Sequence, residues 1–365
     1  MADLYQIDSH KMIYHPDRAA AIKAAGRDWD KAKHIYPVFV ELAPIGACNH
    51  RCQFCCVDYI GYKPDRLSIE MMRERLPELA RLGVRSLHFA GEGEPMLHKN
   101  ISEMIRLTKE SGMDASLTTN ASIMPTDFLD DALPHLSWIK VSMNAGTAET
   151  YASLHGTKPE DFHKAQANLT AMAERRRAKQ LDCALGAQIL LLPENADELE
   201  TLVKTARDQM GVDYVVVKSY SHHLSSETTK YKDMDYAAYL HLEKDLAKYN
   251  TDRFNVVFRS NTMRKLAGAH GYDRCHSVPF VWAYIMANGT VSGCSAYLLN
   301  EKFEYGNVND QSFEQIWTGA KRQASFDYVM NELDISDCRK NCRMDEVNRY
   351  LYALIDNPPP HVNFI

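Results

Sequence analysis

The sequence has no long run of apolar residues and no surplus of positive charge. No segment approaches the run of about 20 apolar residues that a membrane-spanning helix needs. The chain carries 42 Lys and Arg against 48 Asp and Glu, so its formal net charge is −6. It therefore offers no overall basic surface for the phosphate backbone of nucleic acids. These features argue against a membrane partner and do not favour nucleic acid, although the local basic patch Arg175–Arg177 keeps that alternative open.

The first residues also lack the positively charged and apolar stretches of a secretory signal peptide. The chain nevertheless contains nine cysteines in 365 residues. Cysteines without a secretion signal favour metal binding or catalysis in a reducing compartment over disulfide bonds. With 45% hydrophobic and 25% charged residues, the composition is that of a soluble globular protein. We therefore expect a cytoplasmic protein whose cysteines carry its chemistry.

Three of the cysteines stand close together in one predicted loop. Cys48, Cys52 and Cys55 follow the β-type run Val38–Leu42 at a Cys-x3-Cys-x2-Cys spacing. Thiolates are the ligands of iron–sulfur clusters, and three of them leave one iron of a 4Fe–4S cluster without a protein ligand. A zinc loop is the alternative, but Cys56 directly follows Cys55 and is poorly placed as a fourth zinc ligand.

This spacing resembles the signature of radical S-adenosylmethionine (SAM) enzymes, including the aromatic Phe54 before the third cysteine. The resemblance implies that the open iron chelates the amino and carboxylate groups of SAM, and that Phe54 packs beside the adenine. It extends to Gly91-Glu92-Gly93-Glu94-Pro95, which is similar to the family's Gly-Gly-Glu-Pro motif with Glu92 in place of one glycine. Gly93 and Glu94 are therefore expected to bind SAM, with Glu92 nearby.

Strand-like and helix-like segments alternate from residue 38 to about residue 225. Six such units predict a parallel partial (β/α)6 barrel, similar to a TIM barrel, with its ligands at the carboxyl ends of the strands. Beyond residue 225, no further parallel strand is expected. In the family, polar side chains at these strand ends contact SAM, which implies such contacts from Asn120, Ser142, Asn144, Gln188 and Asn195. The alternative for Ser142 and Asn144 is a buried, hydrogen-bonded role without a ligand.

The last predicted barrel strand ends in a polar segment that should face the substrate. Lys218, Tyr220, His222 and His223 suit an anionic or hydroxyl-rich substrate, and a solvated loop is the alternative. Lys218 or His222 is the candidate base for a substrate proton. Cys183 is a candidate hydrogen-atom donor and Cys56 a weaker one, although a free buried cysteine more often only packs.

Four further cysteines, Cys275, Cys294, Cys338 and Cys342, lie in the C-terminal third of the chain. A predicted β-hairpin with an Asn288–Gly289 turn brings Cys294 back towards Cys275. The pattern resembles the SPASM or twitch extension of radical SAM enzymes, which begins Cys-x9–15-Gly-x4-Cys. Four cysteines rather than seven imply the twitch form, in which all four ligate one auxiliary 4Fe–4S cluster. A structural zinc site with four thiolates is the alternative.

The predicted organisation has five parts. They are an N-terminal lead-in that packs on the main domain (1–36), the radical SAM partial barrel (37–225), a helical connector (226–270), the small α+β twitch/SPASM-type iron–sulfur domain (271–345) and a C-terminal tail (346–365).

The resemblance implies a function as well as a fold. SAM would be cleaved reductively to a 5′-deoxyadenosyl radical, which abstracts a hydrogen atom from a polar small molecule such as a sugar, an aminocyclitol or a nucleotide-like compound. The net reaction would be an oxidation or an epimerisation, and a flavodoxin- or ferredoxin-type protein would donate electrons. One alternative is radical SAM chemistry on a peptide or on a modified base in DNA. Another is a non-catalytic iron–sulfur redox protein, which would leave Gly91–Pro95 unexplained.

Overall fold

The computed structural model describes residues 4–364. The strands are β1 Phe39–Leu42, β2 Ser86–Phe89, β3 Asp114–Thr119, β4 Leu136–Ser142, β5 Ala184–Leu191, β6 Tyr214–Ser219, β7 Asn255–Phe258, β8 Trp282–Ile285, β9 Thr290–Ser292 and β10 Glu304–Asn307. The α-helices are α1 Pro16–Ala25, α2 Trp29–Ala32, α3 Ile69–Arg81, α4 Ile101–Glu110, α5 Ala148–His155, α6 Pro159–Lys179, α7 Leu199–Thr205, α8 Leu242–Ala247, α9 Ser260–Lys265, α10 Ser277–Phe280, α11 Phe313–Trp317, α12 Ala320–Asn331 and α13 Asp345–Ile355. Within residues 4–364, no helix combines the length and apolar character that crossing a membrane requires.

All ten strands belong to one sheet, in the order β10-β9-β8-β1-β2-β3-β4-β5-β6-β7. Strands β1 to β7 run parallel in chain order, and the alternation of elements predicts the first six of them. The hairpin that contains the Asn288–Gly289 turn joins the same sheet, because β8 pairs in parallel with β1 and β9 pairs antiparallel with β8. The predicted α/β fold is confirmed, and the C-terminal hairpin extends the barrel sheet.

The end of the parallel repeat was placed too early. A seventh strand, β7, pairs in parallel with β6 and lies inside the segment expected to be a helical connector. It has four residues, as do β1 and β2, but two of its residues are partly exposed. The helical parts of this connector are the six-residue helices α8 and α9 and a short 3-10 turn.

Alternation along the strands separates a helix-facing side from an inward side. On β4, Ile139 and Val141 are buried in the main hydrophobic core. Trp138 and Lys140, which alternate with them, line a cavity inside the sheet. That cavity is also lined from β1, β2, β5 and β6, so the parallel strands curve into a partial barrel.

The N-terminal segment packs on the barrel at one end of the cavity. Ile7 and Ser9 line the cavity, and the Tyr5 ring packs at 5.2 Å from that of Tyr214 on β6. Between Ile7 and Ser9, the Asp8 carboxylate pairs with Arg259 and accepts a hydrogen bond of 2.6 Å from the Thr262 hydroxyl.

A C-terminal segment, residues 338–343, crosses the open side of the barrel. Asn341 donates a hydrogen bond of 2.8 Å to the Ser219 hydroxyl at the end of β6. Arg343 forms an ion pair with Glu41 on β1. This segment, which we call the crossing loop, therefore joins two strands on opposite sides of the cavity.

Candidate active site

The three cysteines of the first motif lie in the loop that follows β1, at the carboxyl end of the barrel. Backbone hydrogen bonds from Arg51 and Gln53 to the last residues of α5 fix this loop, with lengths of 3.0 and 2.9 Å. Cys48, Cys52 and Cys55 are free thiols and line one pocket of about 180 Å³. Three free thiols that share one pocket, without a fourth cysteine lining it, fit a 4Fe–4S cluster with one open iron.

The environment of these thiols is apolar. Burial, the main cause, raises the pKa of Cys48 to about 12 and that of Cys55 to about 11. The thiols are therefore protonated at neutral pH when no metal is bound, and iron binding must release protons. Two buried histidines lie against the loop, with the His155 Nδ1 atom 3.5 Å from the Cys52 sulfur and 3.3 Å from His50 Nδ1. Sequence reasoning missed His155 because α5 is 103 residues away from Cys52 along the chain, and it missed His50 although this residue lies between Cys48 and Cys52.

The glycine-rich loop after β2 packs directly on the cysteine loop. A side chain at Gly93 would collide with the carbonyl oxygens of Ile45 and Ala47, so only glycine allows this approach. Glu94 is buried, and its carboxylate accepts hydrogen bonds from the Thr119 hydroxyl at 2.6 Å and from the backbone N–H groups of Met96 and Asn120 at 3.0 and 2.8 Å. Glu94 lines the same pocket as the cysteines, but its carboxylate braces the ends of β2 and β3.

Glu92, the departure from the family's glycine, has a structural partner far along the chain. Its Oε1 atom accepts a hydrogen bond of 2.5 Å from the backbone N–H of Ala287, near the turn of the β8–β9 hairpin. Its buried Oε2 atom has no hydrogen-bond partner within residues 4–364. Burial, as the main cause, raises the pKa of this carboxyl. Glu92 thus links the glycine-rich loop to the C-terminal hairpin.

The five strand-end residues separate into two groups. Asn120 and Ser142 line the pocket with the cysteines, and Gln188 lines the adjoining cavity. Asn144 and Asn195 are buried and used by the backbone: the Asn195 amide donates to the carbonyl oxygens of Asn144 and Leu190, both at 2.8 Å. The side-chain Oδ1 atom of Asn144 accepts a hydrogen bond from the Leu190 N–H at 2.8 Å. The structure does not bring these two side chains to the pocket, and for Asn144 this matches the alternative without a ligand.

The larger cavity, about 400 Å³, occupies the inside of the barrel next to the cysteine pocket. Phe54 lines both spaces, so they adjoin at this ring. Five cationic side chains line the cavity: Lys140, Lys218, Arg259, Arg339 and Arg343. Desolvation, followed by the neighbouring arginines Arg259 and Arg343, lowers the pKa of Lys218 to about 7. Desolvation and then the Lys218 charge hold the pKa of Lys140 well below its usual range.

The other predicted catalytic residues lie elsewhere. Cys183 is buried just before the first residue of β5, at the end of the strand away from the cysteine loop, with its sulfur 3.9 Å from the Ala184 carbonyl oxygen. The structure therefore does not bring Cys183 to the cavity, whereas the free thiol of Cys56 lines it. His222 does not line either space, and the buried His223 contacts Tyr59 and the Ser295 carbonyl oxygen at 3.2 and 2.9 Å.

The cationic residues that the sequence analysis missed had weak local signals. Lys140 stands two residues before Ser142 on β4, so the two side chains share one face of the strand. Arg339 and Arg343 each follow a cysteine of the last pair, but only the crossing loop brings them into the barrel.

The four C-terminal cysteines converge on a second, small and largely apolar cavity. Cys275, Cys294, Cys338 and Cys342 line it together with Val278, Trp282 and Phe303. All four are free thiols. Burial, as the main cause, raises the pKa of Cys275 to about 12 and that of Cys294 well above its usual range.

Each of these sulfurs also contacts a hydrogen-bonding group. Asn348 donates to Cys275 at 3.5 Å, the Tyr297 hydroxyl lies 3.5 Å from Cys338, and the backbone N–H groups of Ala296 and Met344 donate to Cys294 and Cys342 at 3.4 Å. Four converging thiols with such polar neighbours fit a cluster with four thiolate ligands. Because the crossing loop begins at Cys338 and contains Cys342, it forms a wall shared by this cavity and the barrel cavity.

Two family models match the chain, each over a segment that contains one of the two groups of cysteines. The family model of the radical SAM superfamily matches residues 42–206, and that of the SPASM iron–sulfur cluster-binding domain matches residues 275–343. Among curated relatives, an S-adenosylmethionine-dependent nucleotide dehydratase of Lacinutrix mariniflava is 32% identical over 107 residues. This match covers 27% of the present chain and 21% of the relative. A GTP 3′,8-cyclase of Chlorobaculum tepidum is 30% identical over 167 residues, which cover 45% of this chain and 44% of the cyclase.

A match over more of the chain is to a maturation protein. The sporulation killing factor maturation protein SkfB of Bacillus subtilis is 23% identical over 292 residues, covering 78% of this chain and 66% of SkfB. The fold is similar to that of Streptococcus suis SuiB bound to S-adenosylmethionine, with a TM-score of 0.61 and 19% identity over 85% of this chain and 72% of SuiB. It is also similar to anSMEcpe with bound AdoMet, with a TM-score of 0.59 and 16% identity over 86% and 88% of the two chains.

Proposed function

Because the chain belongs to the radical SAM superfamily and carries a SPASM iron–sulfur domain, we propose that it abstracts a hydrogen atom from a polar small molecule bound in the barrel cavity. Its cofactors are 4Fe–4S clusters and SAM, which when bound supply a 5′-deoxyadenosyl radical and an electron acceptor. The observation that carries the proposal is the position of Phe54, which lines both the cysteine pocket and the 400 Å³ cavity. A substrate in the cavity would lie beside SAM.

In this proposal, Cys48, Cys52 and Cys55 hold the first cluster and Ser142 binds SAM through its hydroxyl. The side chain of Asn120, hydrogen-bonded to Asn49 and Ser122, shapes the pocket. Both Ser142 and Asn120 line the pocket of the three cysteines. Gly93 contributes by its lack of a side chain, which lets the loop lie close to the cysteines. Glu94 acts indirectly, since its carboxylate positions the backbone of Asn120.

The remaining cysteines, Cys275, Cys294, Cys338 and Cys342, are proposed to hold the auxiliary cluster. Four protein ligands leave no iron open to a substrate, so this site is suited to electron transfer. Lys218 is the candidate acceptor for a substrate proton, because its pKa of about 7 leaves part of it neutral at physiological pH. Loss of a hydrogen atom, a proton and an electron from the substrate amounts to a two-electron oxidation. A flavodoxin- or ferredoxin-type protein is the proposed electron donor for the first cluster.

A peptide is the second candidate substrate. It is favoured by the match to SkfB, which extends over more of this chain than the matches to the nucleotide dehydratase and the cyclase. The enclosed, strongly cationic cavity favours the small molecule instead.

The test is formation of 5′-deoxyadenosine by the protein carrying its clusters, after addition of SAM and dithionite under anaerobic conditions. We expect the nucleoside from the wild type and none from a variant with Cys48, Cys52 and Cys55 replaced by alanine. A variant with Cys183→Ala, which removes a cysteine remote from both sites, is the matched control and should retain formation. Equal formation by the triple variant would contradict the proposal.

A further inference from the structure

The barrel cavity has a charge opposite to that of the protein as a whole. The chain has a net charge of −6, yet Lys140, Lys218, Arg259, Arg339 and Arg343 all line this one space. Charged groups that leave bulk water are costly unless an opposite charge or hydrogen bonds compensate them. The cavity therefore contains carboxylates that balance its cations, keeps some of its lysines neutral, or is completed by an anion.

Carboxylates balance only part of this charge. Arg343 pairs with Glu41, and Arg259 pairs with Asp8 at 3.2 Å. Lys140 has no hydrogen bond or ion pair with any residue in the described part of the chain, and lies 5.1 Å from the centre of the Trp138 ring. Arg339 has a hydrogen bond of 3.4 Å to the Ser295 hydroxyl, while its buried Nε finds no partner within residues 4–364. Lys140, Lys218 and Arg339 thus have no ion-pair partner within residues 4–364, whereas Arg259 and Arg343 each have one.

We propose that this cavity binds the phosphate group of a phosphorylated small molecule, such as a sugar phosphate or a nucleotide. The inference rests on the proposed function, since it assigns the chemical class of the substrate in the same cavity. A phosphate monoester carries close to two negative charges at neutral pH and three acceptor oxygens, enough to accept hydrogen bonds from both Lys140 and Arg339 and to favour the charged form of Lys140. A single carboxylate would balance only one of them.

The size and position of the cavity support a small phosphorylated molecule over a polymer. Its volume of about 400 Å³ lies within the range of ~300–1,000 Å³ found for small-molecule sites. The N-terminal segment closes one end and the crossing loop covers the open side of the barrel. Lys140 precedes Ser142 by two residues on β4, and Ser142 lines the pocket proposed to hold SAM. If the phosphate binds near Lys140, the rest of the molecule therefore extends along the strand towards SAM.

The test measures binding without a reductant. Ribose 5-phosphate and ribose are titrated by calorimetry into the anaerobic protein that carries its clusters and SAM. We expect ribose 5-phosphate to bind and ribose to bind at least about tenfold more weakly. Lys140→Met keeps the length of the side chain but removes its charge. This variant should bind ribose 5-phosphate about 10- to 100-fold more weakly, because it loses one charge-assisted hydrogen bond.

The control variant is Lys179→Met, which removes an exposed lysine at the end of α6 and should bind like the wild type. Equal binding of the two sugars, or an unchanged affinity in Lys140→Met with full iron content, would overturn the inference. Tighter binding of a diglutamate peptide or of oligothymidylate than of ribose 5-phosphate would also overturn it. The proposed function fails separately, by the absence of 5′-deoxyadenosine from the reduced protein, because the binding titration does not require SAM cleavage.

Discussion

Replacing Glu94 with glutamine separates two roles for this residue. The resemblance to the radical SAM family implies a SAM ligand, whereas the structure gives its carboxylate three protein donors: the Thr119 hydroxyl and the N–H groups of Met96 and Asn120. Glutamine retains Oε1 as an acceptor for the first two. Its amide NH2 replaces Oε2, and so it faces the Asn120 N–H with a donor instead of an acceptor.

The size of the effect follows from the buried N–H group that loses its partner. An unsatisfied buried donor costs about 1–3 kcal/mol, which corresponds to a local opening equilibrium about 5- to 150-fold more favourable. Amide hydrogen exchange measures this opening at the affected segment and does not require two-state unfolding of a protein that carries clusters. We expect faster exchange in the peptide that contains Asn120 and normal iron content.

Glu70→Gln is the matched control, because Glu70 is exposed in the first turn of α3. It should leave exchange at Asn120 unchanged. If Glu94→Gln also left this exchange unchanged and only weakened SAM binding, the bracing role would be refuted. The carboxylate would then act as a SAM ligand.

Three further predictions test other parts of the site. Ser142→Ala should weaken SAM binding about two- to tenfold, the value of one hydrogen bond, with unchanged iron content; an unchanged Kd would remove Ser142 from the SAM site. Lys218 has a lowered pKa of about 7 and accepts a proton in its neutral form, so the rate of substrate oxidation should rise as the pH passes upwards through about 7. The Lys218→Met variant should lose substrate turnover and retain SAM cleavage. A pH profile of substrate oxidation without this rise would contradict the role of Lys218. Tyr297→Phe removes the hydroxyl near the Cys338 sulfur. Because hydrogen bonds to sulfur stabilise the reduced state of a cluster, this variant should have a lower reduction potential of the auxiliary cluster in a redox titration followed by EPR. An unchanged potential would show that this contact has no effect on the cluster.

Local patterns predicted the sheet and both sets of cysteines. The spacing of the cysteines after Val38–Leu42 identified the first site, and strand-like segments that alternate with helix-like segments identified the sheet. The four-residue strand β7 was missed although β1 and β2 are equally short, because no motif like those after β1 and β2 follows it. Its place at the edge of the sheet is set by pairing with β6, a tertiary effect that the local sequence does not encode.

The cavity was harder to predict because its charges come from distant parts of the chain. Arg343 reaches Glu41 across some three hundred residues, and the N-terminal Asp8 holds Arg259. Asn144 and Asn195 look like polar strand-end ligands in the sequence, but their amides are used by neighbouring backbone groups. Residue type and strand position therefore predicted the end of the sheet at which the pocket and the cavity lie, and only the packing decided which side chains line them.

Iron analysis of two cysteine variants tests the central claim most directly, namely that this chain builds two separate cluster sites. The variants carry alanine either at Cys48, Cys52 and Cys55 or at Cys338 and Cys342. On cubane stoichiometry, the wild type should contain about eight irons and each variant about four. Only the second variant should still form 5′-deoxyadenosine from SAM. A wild type with about four irons and one zinc, or loss of all iron in either variant with the fold retained, would contradict the account.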